Sequence, residues 1–480
     1  VKDKYLLSAI FLSFVMVFLK KWEIGGNIDT IWYAAISKNV ALSGEYFRFW
    51  ISKFPSVGNN VADVRDHMPM TYWVVGTFMK IFGVSDFVAK LYPLFCSFFT
   101  NILIYKFGSY LKDKFFGITC LISVALIHQY MKWQGQLKME IPLTIFIMGI
   151  IFLLFRYLRE KDNKFLYFCA PLFFLGIMTK GPIIFCIPLA LFFWTLIYRD
   201  FTFLKSPHLY GATGLLLIFC SLMFIPSLYF DGQNVFSWFY QAKKSFGEPH
   251  FDLIPHLKRL VISGPLHIIF LIPGYQIAKK MGLKKETGLF ILMVLCILIP
   301  LSFFKIKLDH YLFPSYPFLA FAAAPVFYQF LKRWENKTPD FLIRLSLVVV
   351  LVMVAFPLKT SGRRTKENIN IPLILKFDKK IKEKNVWFYG TWDDDMEIFQ
   401  NYQLYGDIDL RSITNLNAFN LGNDYLVVNK TKLPVSIGGI KLSENDCYLE
   451  VEKKCVFSGE TRPKFKLPPK KLFHEVYLVD

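Results

Sequence analysis

The stretch KWQGQLKMEIPLTIFIMGIIFLLF (132–155) decides the fold. From Ile141 to Phe155 it is a run without charge, apolar but for Thr144, the pattern of a segment whose surroundings are hydrocarbon rather than water. The residues before it are polar and basic, and Glu140 stands at the junction, directly ahead of Ile141 and Pro142. An ionisable side chain at such depth is expensive and by default a functional candidate. It also suits the first turn of a helix, where the dipole favours negative charge. Both readings stay open on these residues alone.

Working outward, the same apolar texture recurs. Candidate spans cover 5–20, 87–107, 115–130, 141–155, 165–178, 182–198, 209–230, 266–278, 288–304, 311–331 and 341–357, which predicts a polytopic α-helical membrane protein of about 11 to 13 transmembrane helices. The 480 residues are 54% hydrophobic and 18% aromatic, with 52 Phe, more than a soluble globular chain carries. The first span has a basic start, but no small-residue cleavage site follows it, so it reads as an anchor rather than a signal peptide.

Lys and Arg outnumber Asp and Glu by 56 to 36, which raises the question of a nucleic-acid partner. The basic residues instead sit in short clusters between apolar runs, so no nucleic acid is expected and membrane orientation accounts for them. Lys2 and Lys4, Lys112 and Lys114, residues 159–164, 199–205, 279–285 and 332–337 fall on alternate loops, the set expected to face the cytoplasm. That leaves the loop 25–86 and the polar tail 358–480 outside. Cys96, Cys120, Cys169, Cys186, Cys220 and Cys296 lie in apolar runs without metal-ligand spacing, whereas Cys447 and Cys455 lie in polar sequence and suit a disulfide in an oxidising compartment. Short β-like runs in the tail, NVWFYG (385–390), DYLVVN (424–429) and EVYLVD (475–480), predict a small C-terminal α/β extracytoplasmic domain after a membrane domain of residues 1–357.

The outer loop GGNIDTIWYAAISKNVALSGEYF (25–47) puts Asp29 at the membrane edge and, in a helix, Tyr33 one turn on along the same face. A carboxylate there suits proton abstraction from an acceptor hydroxyl, and equally a helix N-cap. Farther along, RDHMPMTYWVVGTFMKIFG (65–83) carries Asp66 and His67 ahead of an amphipathic stretch; His67 suits a phosphate, a metal or simply a polar turn. Lys180 in LGIMTKGPIIF (175–185), and Lys305, Lys307 and His310 in FFKIKLDHYLFPSYPFLA (303–320), place cations at span ends. Such charges hold a lipid phosphate if they share a cavity, and otherwise snorkel to the interface. Walker, GxGxxG, HExxH and GxSxG patterns are absent from the sequence.

Asp29 in the first outer loop, DHMPMTYW, KMEIPLTIF, TKGP and HYLFPSYP, in that order, resemble the bacterial glycosyltransferases that include the lipid A aminoarabinose transferases and are related to protein O-mannosyltransferases. The match spans about 5–324. The resemblance implies a GT-C fold, a polyprenyl-phosphate sugar donor, and a lipid or glycan acceptor such as lipid A on the periplasmic side of a bacterial inner membrane. It implies Asp29 and Glu140 as catalytic carboxylates, Asp29 as general base or to position the acceptor, and Tyr33, His67, Lys180, Lys305, Lys307, His310 and Tyr311 as donor phosphate or sugar contacts. Thr30 stands where relatives often carry a second acid, and His67 where aminoarabinose transferases carry Lys, a departure that weighs against that particular substrate. No cofactor is required; a divalent metal is the one option the resemblance leaves open, with Asp66 and His250 as the pair to hold it. A protein acceptor is the nearest alternative. A transporter would show broken midplane helices and repeated halves, which the sequence lacks, and an assembly protein would not need Asp29.

Overall fold

The computed structural model describes residues 4–18, 28–44, 46, 68–231, 251–304 and 307–335, together with seven short strands between Val386 and Ser458. The chain divides into two compact units, Val1–Glu23 with Arg65–Thr360, and Ile24–Val64 with Ser361–Asp480. The loop expected at 25–86 is therefore split, its first part grouping with the tail.

The first unit is helical. α1 (Lys4–Phe18) opens it; α2 (Ile28–Ser43) belongs to the other unit, and α3 (Met70–Phe82), α4 (Asp86–Leu111), α5 (Lys114–Ala125), α6 (His128–Trp133), α7 (Glu140–Glu160) and α8 (Lys164–Lys180) follow. A 3-10 turn, Gly181–Phe185, leads to α9 (Cys186–Tyr198) and α10 (Pro207–Asp231). Then come α11 (Ile254–Ser263), α12 (Pro265–Ile269), α13 (Leu271–Lys280), α14 (Lys284–Leu301), a second 3-10 turn Asp309–Ser315, and α15 (Tyr316–Glu335). Several helices start where the sequence supplies a cap: Ser85 Oγ accepts from the Val88 amide at 3.3 Å, and Asp113 Oδ1 from the Phe116 amide at 2.7 Å.

Three helical stretches among the described residues are long and apolar enough to cross a membrane: Phe87–Leu111, Glu140–Glu160 and Lys164–Tyr198. Lys4–Phe18, Lys114–Ala125 and Pro207–Met223 are apolar but shorter. The eleven expected spans are thus not all realised as long helices. The one expected at 266–278 is two short helices meeting at Phe270, and that at 115–130 is α5 and α6 separated near Leu126. The span expected at 341–357 lies outside the described residues. Around the bundle the outward faces are oily: Phe192, Ile197, Leu217 and Leu222 stand more than half exposed. Such a surface is ruinous in water but is ordinary solvent contact in lipid.

The core lies where α7 packs on α4 and α8, α5 on α4 and α15, and α14 on α9 and α15. Phe107, fully buried, sits at the junction of these layers with Phe155, Phe290 and Phe321 at 5.1 to 5.7 Å between ring centroids. α4 and α5 approach so closely at Gly117 that a Cβ there would meet the Tyr105 carbonyl oxygen at 2.5 Å.

One end of this unit gathers the basic loops. Arg159 at the end of α7 donates to the Tyr110 carbonyl at 2.9 Å, closing the α4 terminus, and pairs with Glu286 of α14 at 3.0 Å. Lys285 pairs with Asp200 at 2.9 Å, and Tyr328 donates to Asp113 at 2.7 Å. Glu140 begins the same helix that Arg159 ends; the helix has 21 residues, so the two lie about 30 Å apart, one bilayer core.

In the second unit, β1 (Val386–Tyr389), β2 (Leu410–Ile413), β3 (Tyr425–Asn429), β6 (Leu449–Val451) and β7 (Lys454–Ser458) form a mixed sheet ordered β2-β1-β3-β7-β6. β1 is parallel to β2 and β3, whereas β7 is antiparallel to β3 and β6; β4 (Val435–Ile437) and β5 (Ile440–Leu442) make a separate hairpin. Two of the runs read as strands, NVWFYG and DYLVVN, are β1 and β3. The third, 475–480, and Cys447 with its expected disulfide lie outside the described residues.

Candidate active site

At the end opposite the basic loops, α7 begins with Glu140, only 1% exposed. Pro142 in its first turn supplies a fixed φ where no amide is needed, and the Thr144 hydroxyl donates to the Glu140 carbonyl at 2.6 Å. α8 runs antiparallel to α7 and terminates at Lys180, whose ammonium donates to Glu140 Oε1. Gly181, with φ +55°, turns the chain there, and a Cβ on it would stand 3.6 Å from the Met68 methyl. The residue after the Asp66–His67 pair thus reaches the Lys180 corner, although Asp66, His67, His250 and Lys305 themselves lie outside the described residues.

The turn Asp309–Ser315 closes the site from the other side. His310 Nε2 stands 3.7 Å from Glu140 Oε1, and the Tyr311 ring lies under the Lys180 ammonium at 4.3 Å. Glu140, Lys180, His310 and Tyr311, separated by up to 171 positions in the chain, therefore form one cluster. Glu140 Oε2 is buried with no hydrogen-bond partner among the described residues.

Lys307, expected as a phosphate contact, is engaged at the end of α14. Its ammonium donates to the Ser302 and Phe304 carbonyls at 3.0 and 2.7 Å, capping the end of α14. Beside it Arg259 pairs with Asp309 at 2.5 Å and donates to the Lys307 carbonyl, fixing the approach to His310. Asp29 falls in the first turn of α2 and Tyr33 one turn later, as the helical reading requires; Tyr33 is buried.

A polar latch that the motif reading passed over sets the other wall. Tyr130 donates to Asn101 Oδ1 at 2.7 Å, Asn101 to Gln134 Oε1 at 3.2 Å, and the Gly135 amide to Ser97 Oγ at 2.9 Å. Tyr130 also stacks on Phe313 at 4.9 Å. α4, α6 and the His310 turn are thereby locked together, which brings Trp133 against His310 at 5.4 Å and Lys138, 1% exposed, toward the Trp133 ring at 5.8 Å. The available signal was Asn101, a fully polar amide inside an apolar run. Among the described residues no group of three His, Cys, Asp or Glu side chains could hold a metal.

Residues 66–229 match the family described as dolichyl-phosphate-mannose-protein mannosyltransferase, a segment that contains Glu140 and Lys180. The crystal structure of ArnT from Cupriavidus metallidurans in the apo state superposes with a TM-score of 0.68 at 13% identity, covering 89% of this chain and 92% of that one. ArnT bound to undecaprenyl phosphate gives 0.70 at the same identity and coverage. The chain has the fold of ArnT. The resemblance read from the motifs is thus met twice, by a mannosyltransferase family model in the membrane part and by the ArnT architecture over most of the chain. Two Aquifex aeolicus (strain VF5) proteins of unassigned function are also similar, one 24% identical over 72% of this chain and 67% of its own length, the other 25% over 80% and 86%.

Proposed function

We propose that this chain is an integral-membrane glycosyltransferase that moves a sugar from a polyprenyl phosphate, such as undecaprenyl phosphate, to a cell-envelope lipid or glycan of the lipid A type. The reaction takes place at the periplasmic face of a bacterial inner membrane. The observation that carries the proposal is the buried Glu140–Lys180–His310–Tyr311 cluster at the end of the bundle away from the basic loops. It is supported by the ArnT fold, one of whose structures holds undecaprenyl phosphate. The description of the matching family favours a protein acceptor as the second reading.

The donor in this reading brings its own leaving group, because a polyprenyl phosphate departs as a phosphate monoester and no nucleotide is needed. Asp29 takes the proton of the acceptor hydroxyl or orients it, and direct displacement inverts the anomeric carbon. Lys180, held in place by Glu140 and by the Tyr311 ring, stabilises the charge that develops on the departing phosphate, with His310 alongside. Lys307, whose ammonium donates to carbonyls at the α14 terminus, is a further donor-phosphate contact in this reading. His67 and Lys305 are further donor contacts in this reading, and Asp66 and His250 are the pair available to a divalent metal.

The test is transfer from radiolabelled polyprenyl-phosphate sugars to envelope lipids in membranes carrying wild type or Asp29→Asn at equal abundance. Label entering lipid with wild type and falling at least 100-fold in the variant is expected. Label entering protein instead would establish the second reading, and equal labelling by both would remove Asp29 from the mechanism.

A further inference from the structure

Two buried polar atoms at the site lack partners among the described residues: Glu140 Oε2, an acceptor, and Trp133 Nε1, a donor. Both residues flank the same ring, since Trp133 meets His310 edge-on at 5.4 Å and Glu140 Oε1 lies 3.7 Å from His310 Nε2. Their side chains are closed from solvent, at 8% exposure for Trp133 and 1% for Glu140. A cation near the Trp133 ring comes from each side of it in the chain, Lys132 at 4.6 Å and Lys138 at 5.8 Å, so the ring surface is already engaged and the N–H edge is what remains. Buried donors and acceptors are nearly always satisfied, and an orphaned pair beside a reaction centre points to a missing ligand group.

The chemistry of that group is narrow. A phosphate oxygen would accept from the indole but be repelled by the carboxylate. An ammonium would donate to the carboxylate but offer nothing to the indole N–H. A hydroxyl does both, accepting one hydrogen bond and donating another. We infer that Trp133 Nε1 and Glu140 Oε2 together seat a hydroxyl of the donor's sugar ring, which makes Trp133 a specificity-determining residue. This rests on the polyprenyl-phosphate sugar reading and adds to it a division of labour: Lys180 faces the phosphate, and the Trp133–Glu140 edge reads the sugar.

The experiment is equilibrium binding to the purified full chain of two lipids, undecaprenyl phosphate and undecaprenyl-phosphate-linked hexose, with wild type and Trp133→Phe. The phenyl ring keeps the packing against His310 and loses the N–H. Binding of the hexose lipid should weaken about fivefold to tenfold in the variant, the worth of one hydrogen bond, while binding of the sugar-free lipid stays within twofold. Equal weakening of both lipids, or of neither, overturns the inference. A second arm varies the ligand: in wild type, monodeoxy-hexose lipids should include one that loses the same factor, and Trp133→Phe should not distinguish that lipid from its parent. If no deoxy position matters, the inference fails while the donor reading stands; if wild type binds neither parent lipid, the donor reading fails and takes the inference with it.

Discussion

Glu140 is held on one oxygen by Lys180, and burial makes each charge depend on the other. Lys180→Met leaves a buried carboxylate without its hydrogen-bonded partner, with only the more distant His310 and Lys138 for compensation, which should cost about 3 to 5 kcal/mol and lower the thermal midpoint of the purified protein sharply. Glu140→Gln combined with Lys180→Met removes both charges and should recover most of that loss while staying inactive. A double variant as unstable as the single one would mean that the pair contributes by packing rather than by charge balance. Glu140 and Lys180 were legible in the sequence because an ionisable group in an apolar run demands a reason. Their pairing was not, since 40 positions separate them and only the antiparallel course of α7 and α8 brings them together. Lys307 shows another limit: its place in a cationic motif suggested phosphate, and nothing in the motif announced that the carbonyls at the end of α14 would accept from its ammonium.

At the scale of elements, the site depends on how closely α4, α5 and α7 pack, because α4 carries Asn101 and Ser97 to the latch behind Trp133. Gly117 permits the α4–α5 approach, and a side chain there would strike the Ser109 hydroxyl and, behind it, backbone atoms of Tyr105 and Ser109 that cannot swing aside. Gly117→Ala should therefore destabilise the protein by about 1 to 3 kcal/mol, seen as a lower thermal midpoint in detergent, with donor KM less affected than the amount of folded protein. An unchanged midpoint would show that the helices separate without cost. Long apolar helices such as α4, α7 and α10 follow the sequence pattern to within a few residues. The short ones do not: α12 and α13 divide a run that hydropathy reads as one, because a window average is blind to the break at Phe270. The 3-10 turn carrying His310 and Tyr311 was likewise invisible as a turn, since Tyr, Leu, Phe and Pro there read as the start of a span.

Across the molecule, charge sorts the two ends of the helical unit. The loops singled out as cytoplasmic by their Lys and Arg density meet one another through Arg159–Glu286 and Lys285–Asp200, and the Glu140 cluster lies at the far end of α7. Lys285 and the Thr202 hydroxyl beside Asp200 hold its carboxyl below the usual carboxylate range. A lowered folded pKa stabilises above the unfolded value and is lost as pH falls through the folded one, so this tie loosens only in acid, below the pH at which free carboxylates titrate. The sidedness has a direct check. With Cys447 and Cys455 replaced by Ser, Ile254→Cys, exposed beside the end of α14, should react with a membrane-impermeant maleimide in intact spheroplasts, and Lys164→Cys only after permeabilisation. The reverse pattern would put the chemistry on the cytoplasmic leaflet.

The measurement that bears most directly on the account is sugar transfer by purified protein from undecaprenyl-phosphate-linked sugar to lipid A, with wild type, Glu140→Gln and Lys180→Met compared at a temperature where all three are folded. Transfer by wild type and at least a 100-fold loss in each variant are expected, with undecaprenyl phosphate released only alongside transfer. Full activity in both variants would contradict it, because the buried cluster would then be a structural pair and the reaction centre would lie elsewhere.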